Sequence, residues 1–63
     1  MNYWIRFVIG GKVRNFSDHN YIPWLKKNMT GRYYYSRTYD AHKFVMKEDE
    51  TLFVLTFGNG DEI

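Results

Sequence analysis

The chain predicts an α+β fold: a small, mostly antiparallel sheet, made of an N-terminal hairpin and C-terminal strands, with one short helix packed on a face. Three observations carry this expectation. Residues 2–9 alternate between apolar and mixed positions, "GG" follows at 10 and 11, and residues 20–30 place apolar side chains at spacings of three and four. Strict alternation marks a strand with one buried side, whereas spacings of three and four mark one face of a helix.

In the first segment Tyr3, Ile5, Phe7 and Ile9 share one face, and Trp4, Arg6 and Val8 share the other. Two glycines suit a two-residue hairpin turn, because both central positions of a type I′ turn require positive φ. "KVRNFS" then returns as a second strand, and a two-residue connection sets Ile5 opposite Phe16 and Val8 opposite Val13. A three-residue loop would instead pair Ile9 with Val13 and Arg6 with Phe16. The two-residue register is adopted.

"NYIPWLKKNMT" (20–30) reads as the helix, with Asn20 as cap, Pro23 in the first turn and Gly31 as stop. Ile22, Leu25 and Met29 form its apolar face, joined by Tyr21. Lys26 and Lys27 then point outward near the C-terminus, where the helix dipole favours positive charge. "RYYYSRTY" (32–39) returns to strand, with Tyr33, Tyr35 and Tyr39 on one face beside Arg37, and Tyr34 opposite with Arg32, Ser36 and Thr38. A short core needs Tyr33 and Tyr35 inside, which leaves Tyr34 exposed. "DAHKF" (40–44) fits either a single helical turn capped by Asp40 or a turn leading into a short strand, "FVMK". The run "TLFVLTF" (51–57) is taken as a strand for its β-branched and aromatic residues. The "EDE" before it and the "GNG" after it resemble the two ends of a helix and argue the other way.

Sixty-three residues make one domain, spanning 1–63, with a small core. Cysteine is absent, which excludes disulfides and thiolate metal sites. Rings take their place: five Phe, six Tyr and two Trp make up 21% of the chain, and each buries more area than an aliphatic side chain at low rotamer cost. The N-terminal "MNYWIRFVIGG" does not read as a signal peptide, since Arg6 interrupts a short apolar run, and no segment approaches the roughly 20 apolar residues of a membrane span. A soluble protein of the cytoplasm is the expectation. The glycosylation patterns at Asn15 and Asn28 therefore carry no meaning.

The net charge of +2 conceals a division. Residues 1–47 hold all nine Lys and Arg against Asp18 and Asp40, a net of +7, while the last 16 residues hold five acids and no base, a net of −5. Either the protein has a basic and an acidic surface, or its acidic end folds back on the basic body. The second arrangement puts Asp61 and Glu62 near Arg or Lys.

Chemistry-bearing motifs are few. Ser17, Asp18 and His19 are the residue types of a hydrolase triad, but neighbours in a chain point apart, and a working triad converges from separate segments. His19 and His42 stand 23 residues apart, each without a partner at metal-ligand spacing. "GNGD" precedes no helix and so is not a phosphate loop. No catalytic residue, metal ligand or cofactor site is expected, and the chain reads as a binding protein rather than an enzyme.

Two kinds of binding follow. Trp, Tyr and Arg are the types that carry most energy at protein interfaces, which nominates Trp4, Trp24, Tyr34, Arg32 and Arg37. Cations interleaved with rings also suit single-stranded nucleic acid, and that alternative uses Arg14, Lys26, Lys27, Arg32, Tyr34 and Lys43 within the basic 6–47 region. Protein contact ranks first, because the core competes for the same rings. A homo-oligomeric structural subunit is the third reading. In size, lack of cysteine and aromatic content the whole chain resembles the short accessory proteins of bacteriophages and mobile elements. That resemblance implies an inhibitor or adaptor of a host enzyme or defence complex.

Overall fold

The computed structural model describes residues 4–17, 21–29 and 31–62. They form β1 (Trp4–Ile9), β2 (Lys12–Ser17), α1 (Tyr21–Asn28), β3 (Tyr33–Ser36), β4 (Ala41–Phe44), α2 (Lys47–Phe57) and β5 (Asp61–Glu62). The fold is α+β, and its five strands lie in the order β3-β4-β1-β2-β5. Three strand pairs are antiparallel; β1 and β4, at the centre, run parallel.

The N-terminal hairpin has the register its sequence dictates: Ile5 faces Phe16 and Val8 faces Val13. Gly10 and Gly11 make the turn with φ of 60° and 80°, a conformation that side chains with a Cβ resist. Ile5, Phe7 and Phe16 point to the side covered by both helices. There Phe7 is wholly buried, with the rings of Phe16, Tyr21, His42, Phe44 and Phe53 centred 4.5–5.9 Å away. Phe7 meets Phe16 and Tyr21 edge to face, as Phe16 meets Phe53, the arrangement favoured by the ring quadrupole. α1 adds Tyr21 and Leu25 to the same core, with Ile22 and Met29 packed against it. The expected helix is thus present, while its cap, Asn20, lies outside the described residues.

The run 51–57 is helical, not a strand, and the sheet carries two helices rather than one. Glu48, Asp49 and Glu50 occupy the first turn of α2, where carboxylates meet the positive end of the dipole, and the Gly58 N–H closes the last turn on the Val54 carbonyl at 2.7 Å. The helix signals at both ends outweigh β propensity between them. Only one side of the run is core: Phe53 is wholly buried, while Leu52 and Leu55 are 40% and 78% exposed. Asp49, also buried, accepts the Gly31 N–H at 2.7 Å and so ties α2 to the entry of β3. Gly31 has no room for a side chain, because a Cβ there would collide with Met46. At the other end of the hairpin, Glu50 accepts the Gly10 N–H at 3.0 Å.

The segment 32–44 differs from its sequence pattern in three ways. The alternation that would place Tyr39 beside Tyr35 ends at Ser36, because residues 37–40 form a turn with Asp40 at φ 54°. The returning strand is Ala41–Phe44, and Val45 and Met46 lie in the bend that leads to α2. Tyr35 shares the helix-side face with Tyr33, yet β3 is the edge strand and the helices do not reach over it. Tyr35 is therefore 52% exposed and Tyr33 half-buried.

Candidate functional site

Opposite the helices the sheet has an open face, and the register assigns its residues. Trp4, Arg6 and Val8 come from β1, facing Ser17, Asn15 and Val13 of β2. Tyr34 and Ser36 of β3 face Lys43 and Ala41 of β4, and Arg32, two residues before Tyr34, continues the same row. Asp61 lies beside Asn15 at the far edge. The middle of this face is flat and closed, with Val8 and Ala41 buried, while Trp4 (56% exposed) and Tyr34 (47%) stand above it toward opposite corners.

Its charges are partly engaged. The Arg6 guanidinium donates to Asp40 at 3.2 Å in an exposed ion pair, which at this exposure positions the side chains more than it stabilises the fold. The Lys43 ammonium lies 5.3 Å from the centre of the Tyr39 ring, a cation–π contact. Arg32 and Arg37 are exposed, and no hydrogen bond or ion pair engages their side chains among the described residues.

Four nominated residues thus gather on or beside one surface: Trp4, Tyr34 and Arg32 on the open face, and Arg37 in the turn at its rim. Lys43, from the nucleic-acid set, joins them. Trp24 does not. Its ring is half-buried on the helix side, 4.9 Å from that of Phe57 and 6.0 Å from that of Phe53, so it is largely core. Lys26 and Lys27 are exposed at the end of α1, on the helix side of the molecule. Arg14 donates to the carbonyls of Asn59 and Gly60 at 2.9 and 3.4 Å and lies 3.8 Å from Glu62. It holds the C-terminal segment against β2 instead of standing free for phosphate. Of the two acids that compensation would bring near a cation, Glu62 lies beside Arg14, while no ion pair engages Asp61 among the described residues.

A cleft of about 460 Å³ opens at the end of the sheet where β1 begins, lined among others by Trp4, Arg6, Tyr35, Asp40 and His42. Sequence reasoning passed over His42 in this role, since nothing near it in the chain marks it. Its ring packs between those of Phe7, Tyr33 and Tyr35 at 5.5–6.2 Å, and burial lowers its pKa below the usual 6.5. The imidazole Nδ1 is buried without a hydrogen-bond partner among the described residues. Asp40 and Tyr35 line the cleft with it, but no serine, threonine or cysteine does, and the described residues hold no group of three His, Cys, Asp or Glu that could bind a metal. A second exposed apolar region, aliphatic throughout, comprises Val45, Met46, Leu52 and Leu55 around α2.

Comparison with protein-family models, with curated proteins and with solved structures finds no match to this chain. Among the described residues no helix is long and apolar enough to cross a membrane.

Proposed function

We propose that the chain is a small non-catalytic binding protein that acts by occupying a surface on another protein, using the helix-free face of its sheet. One observation carries this reading: Trp4 of β1 and, from a stretch distant in sequence, Arg32 and Tyr34 at the start of β3 lie on one face of the sheet, which neither described helix covers. A flat, closed centre flanked by exposed rings and an unengaged guanidinium matches the anatomy of interfaces whose energy concentrates in Trp, Tyr and Arg. The aliphatic region around α2 lacks those types and ranks lower for that reason. The resemblance in size and composition to phage accessory proteins extends the proposal to an inhibitor or adaptor of a host enzyme or defence complex in the cytoplasm.

Single-stranded nucleic acid is the second reading, favoured by Lys43 and Arg32 sharing the face with Tyr34. It is weakened by Arg14, which is committed to the chain's own carbonyls, and by Lys26 and Lys27, which lie on the other side. Affinity capture from the native cell, with and without nuclease and followed by a salt series, separates the two. A protein that stays bound after nuclease, with little loss between about 50 and 200 mM salt, is the expected result. Capture that disappears with nuclease, or affinity that falls by about 10³ or more over that range, as counterion release from several phosphates demands, would overturn it.

A further inference from the structure

The edge of β3 supplies a specific docking mode that rests on the protein-binding role proposed above. β3 is the first strand of the sheet, and none of the described strands pairs with its outer side. The Val45 N–H donates to the Arg32 carbonyl at 2.9 Å, which fixes the phase of the β3–β4 ladder. Backbone groups alternate in direction along an antiparallel strand. Arg32, Tyr34 and Ser36 therefore turn theirs toward β4, while Tyr33 and Tyr35 turn both N–H and C=O outward. These four groups form a short template for another strand, the arrangement used in recognition by strand addition. Side chains are in place on both faces of such an added strand: Tyr35 beside the Tyr33 and His42 rings on one side, and Tyr34 on the other.

The charges at its ends select the occupant. Arg32 and Arg37 bracket the strand, both exposed. A second copy added antiparallel would bring Arg32 of one chain next to Arg37 of the other at both ends, within one residue of any central register. Like charges so placed oppose pairing. An extended segment carrying carboxylates at its two ends meets the opposite situation. The geometry points to β3 as the docking edge for an extended, acid-flanked segment of the partner protein, added as a sixth strand.

The test uses the full chain and a displayed library of random peptides. Selected peptides are expected to carry Asp or Glu on both sides of an alternating β-branched or aromatic centre. Binding of a selected peptide should slow amide exchange at Tyr33 and Tyr35 by roughly tenfold or more, with Tyr34 and Ser36, already bonded to β4, little changed. Arg32→Glu with Arg37→Glu should switch selection to Lys- or Arg-flanked peptides. Tyr35→Pro, which removes an outward N–H together with the Tyr35 ring and is tolerated on an edge strand, should weaken the selected peptide by about tenfold or more beyond any loss shown by Tyr35→Ala, which removes the ring and keeps the N–H. Failure to enrich any peptide, charge-indifferent selection, or protection confined to the open face would overturn the inference. So would protection that rises with protein concentration alone, which would identify a second copy as the occupant. A partner that binds Tyr35→Pro as before but is lost with Trp4→Ala would refute the edge and leave the protein-binding role standing.

Discussion

The two sides of β1 show what the chain spends its aromatic residues on. On the helix side Ile5 and Phe7 are buried, Phe7 among rings from β2, α1, β4 and α2; on the open side, one residue away, Trp4 is 56% exposed and Arg6 reaches an exposed carboxylate. The same strand therefore contributes to stability with one set of side chains and presents a surface with the other. Alternation of side chains along a strand makes this separation complete. Changes on the helix side should unfold the protein before they alter recognition, and changes on the open side should alter recognition in a folded protein.

The largest effect is expected at Phe53, whose ring lies within 6.0 Å of those of Phe7, Phe16, Tyr21, Trp24, Phe44 and Phe57. Phe53→Ala should cost about 3–5 kcal/mol, enough to unfold most of a chain this small, and urea denaturation measures it. Asp49→Ala follows. It leaves the Gly31 N–H without its acceptor in a part-buried site, at about 1–3 kcal/mol. A loss below about 0.5 kcal/mol in the same measurement would mean that water replaces the carboxylate.

The tyrosines should separate by position. Tyr33→Ala is expected to cost about 1–3 kcal/mol and Tyr35→Ala no more than about 0.5 kcal/mol, since surface changes rarely exceed that. Thermal melts of the two variants decide the order, and equal large losses would place Tyr35 in the core after all. A smaller effect still concerns pH. Burial holds His42 below its usual pKa, so the unfolded chain binds the extra proton first and stability falls as pH drops below about 6.5. The melting temperature should decline between pH 7.5 and 5.5, and His42→Phe should flatten that part of the profile.

Much of this division was legible in the sequence. Alternation over residues 4–9 and a diglycine turn fix the hairpin register, because a slip by one residue would set Phe16 opposite Arg6 and turn it to the face away from Phe7. α1 was legible through spacings of three and four. α2 was not, since its apolar residues surround the helix and only Phe53 and its neighbours find a core; its type is carried by "EDE" and Gly58 at the ends. Tyr35 shows a different limit. Alternation placed it on the correct face, but whether a face is covered depends on which strand is the edge, and strand order is set by pairings distant in sequence. The half-burial of Trp24 was hidden for the same reason, as the rings that cover it arrive from α2. The open face could be nominated in parts, through Trp4, Tyr34 and Arg32, but its assembly required β4 to enter between β1 and β3.

The central claim is that recognition belongs to the open face and the β3 edge beside it, and stability to the core under the helices. Its most direct test is the affinity of the captured partner for two double variants, Trp4→Ala with Tyr34→Ala on the open face and Leu52→Ser with Leu55→Ser on the outer side of α2. The account predicts that the first loses at least about tenfold in affinity, roughly 1.4 kcal/mol, with an unchanged melting temperature, while the second binds as the unaltered chain does. Undiminished binding by the first variant together with loss by the second would contradict it.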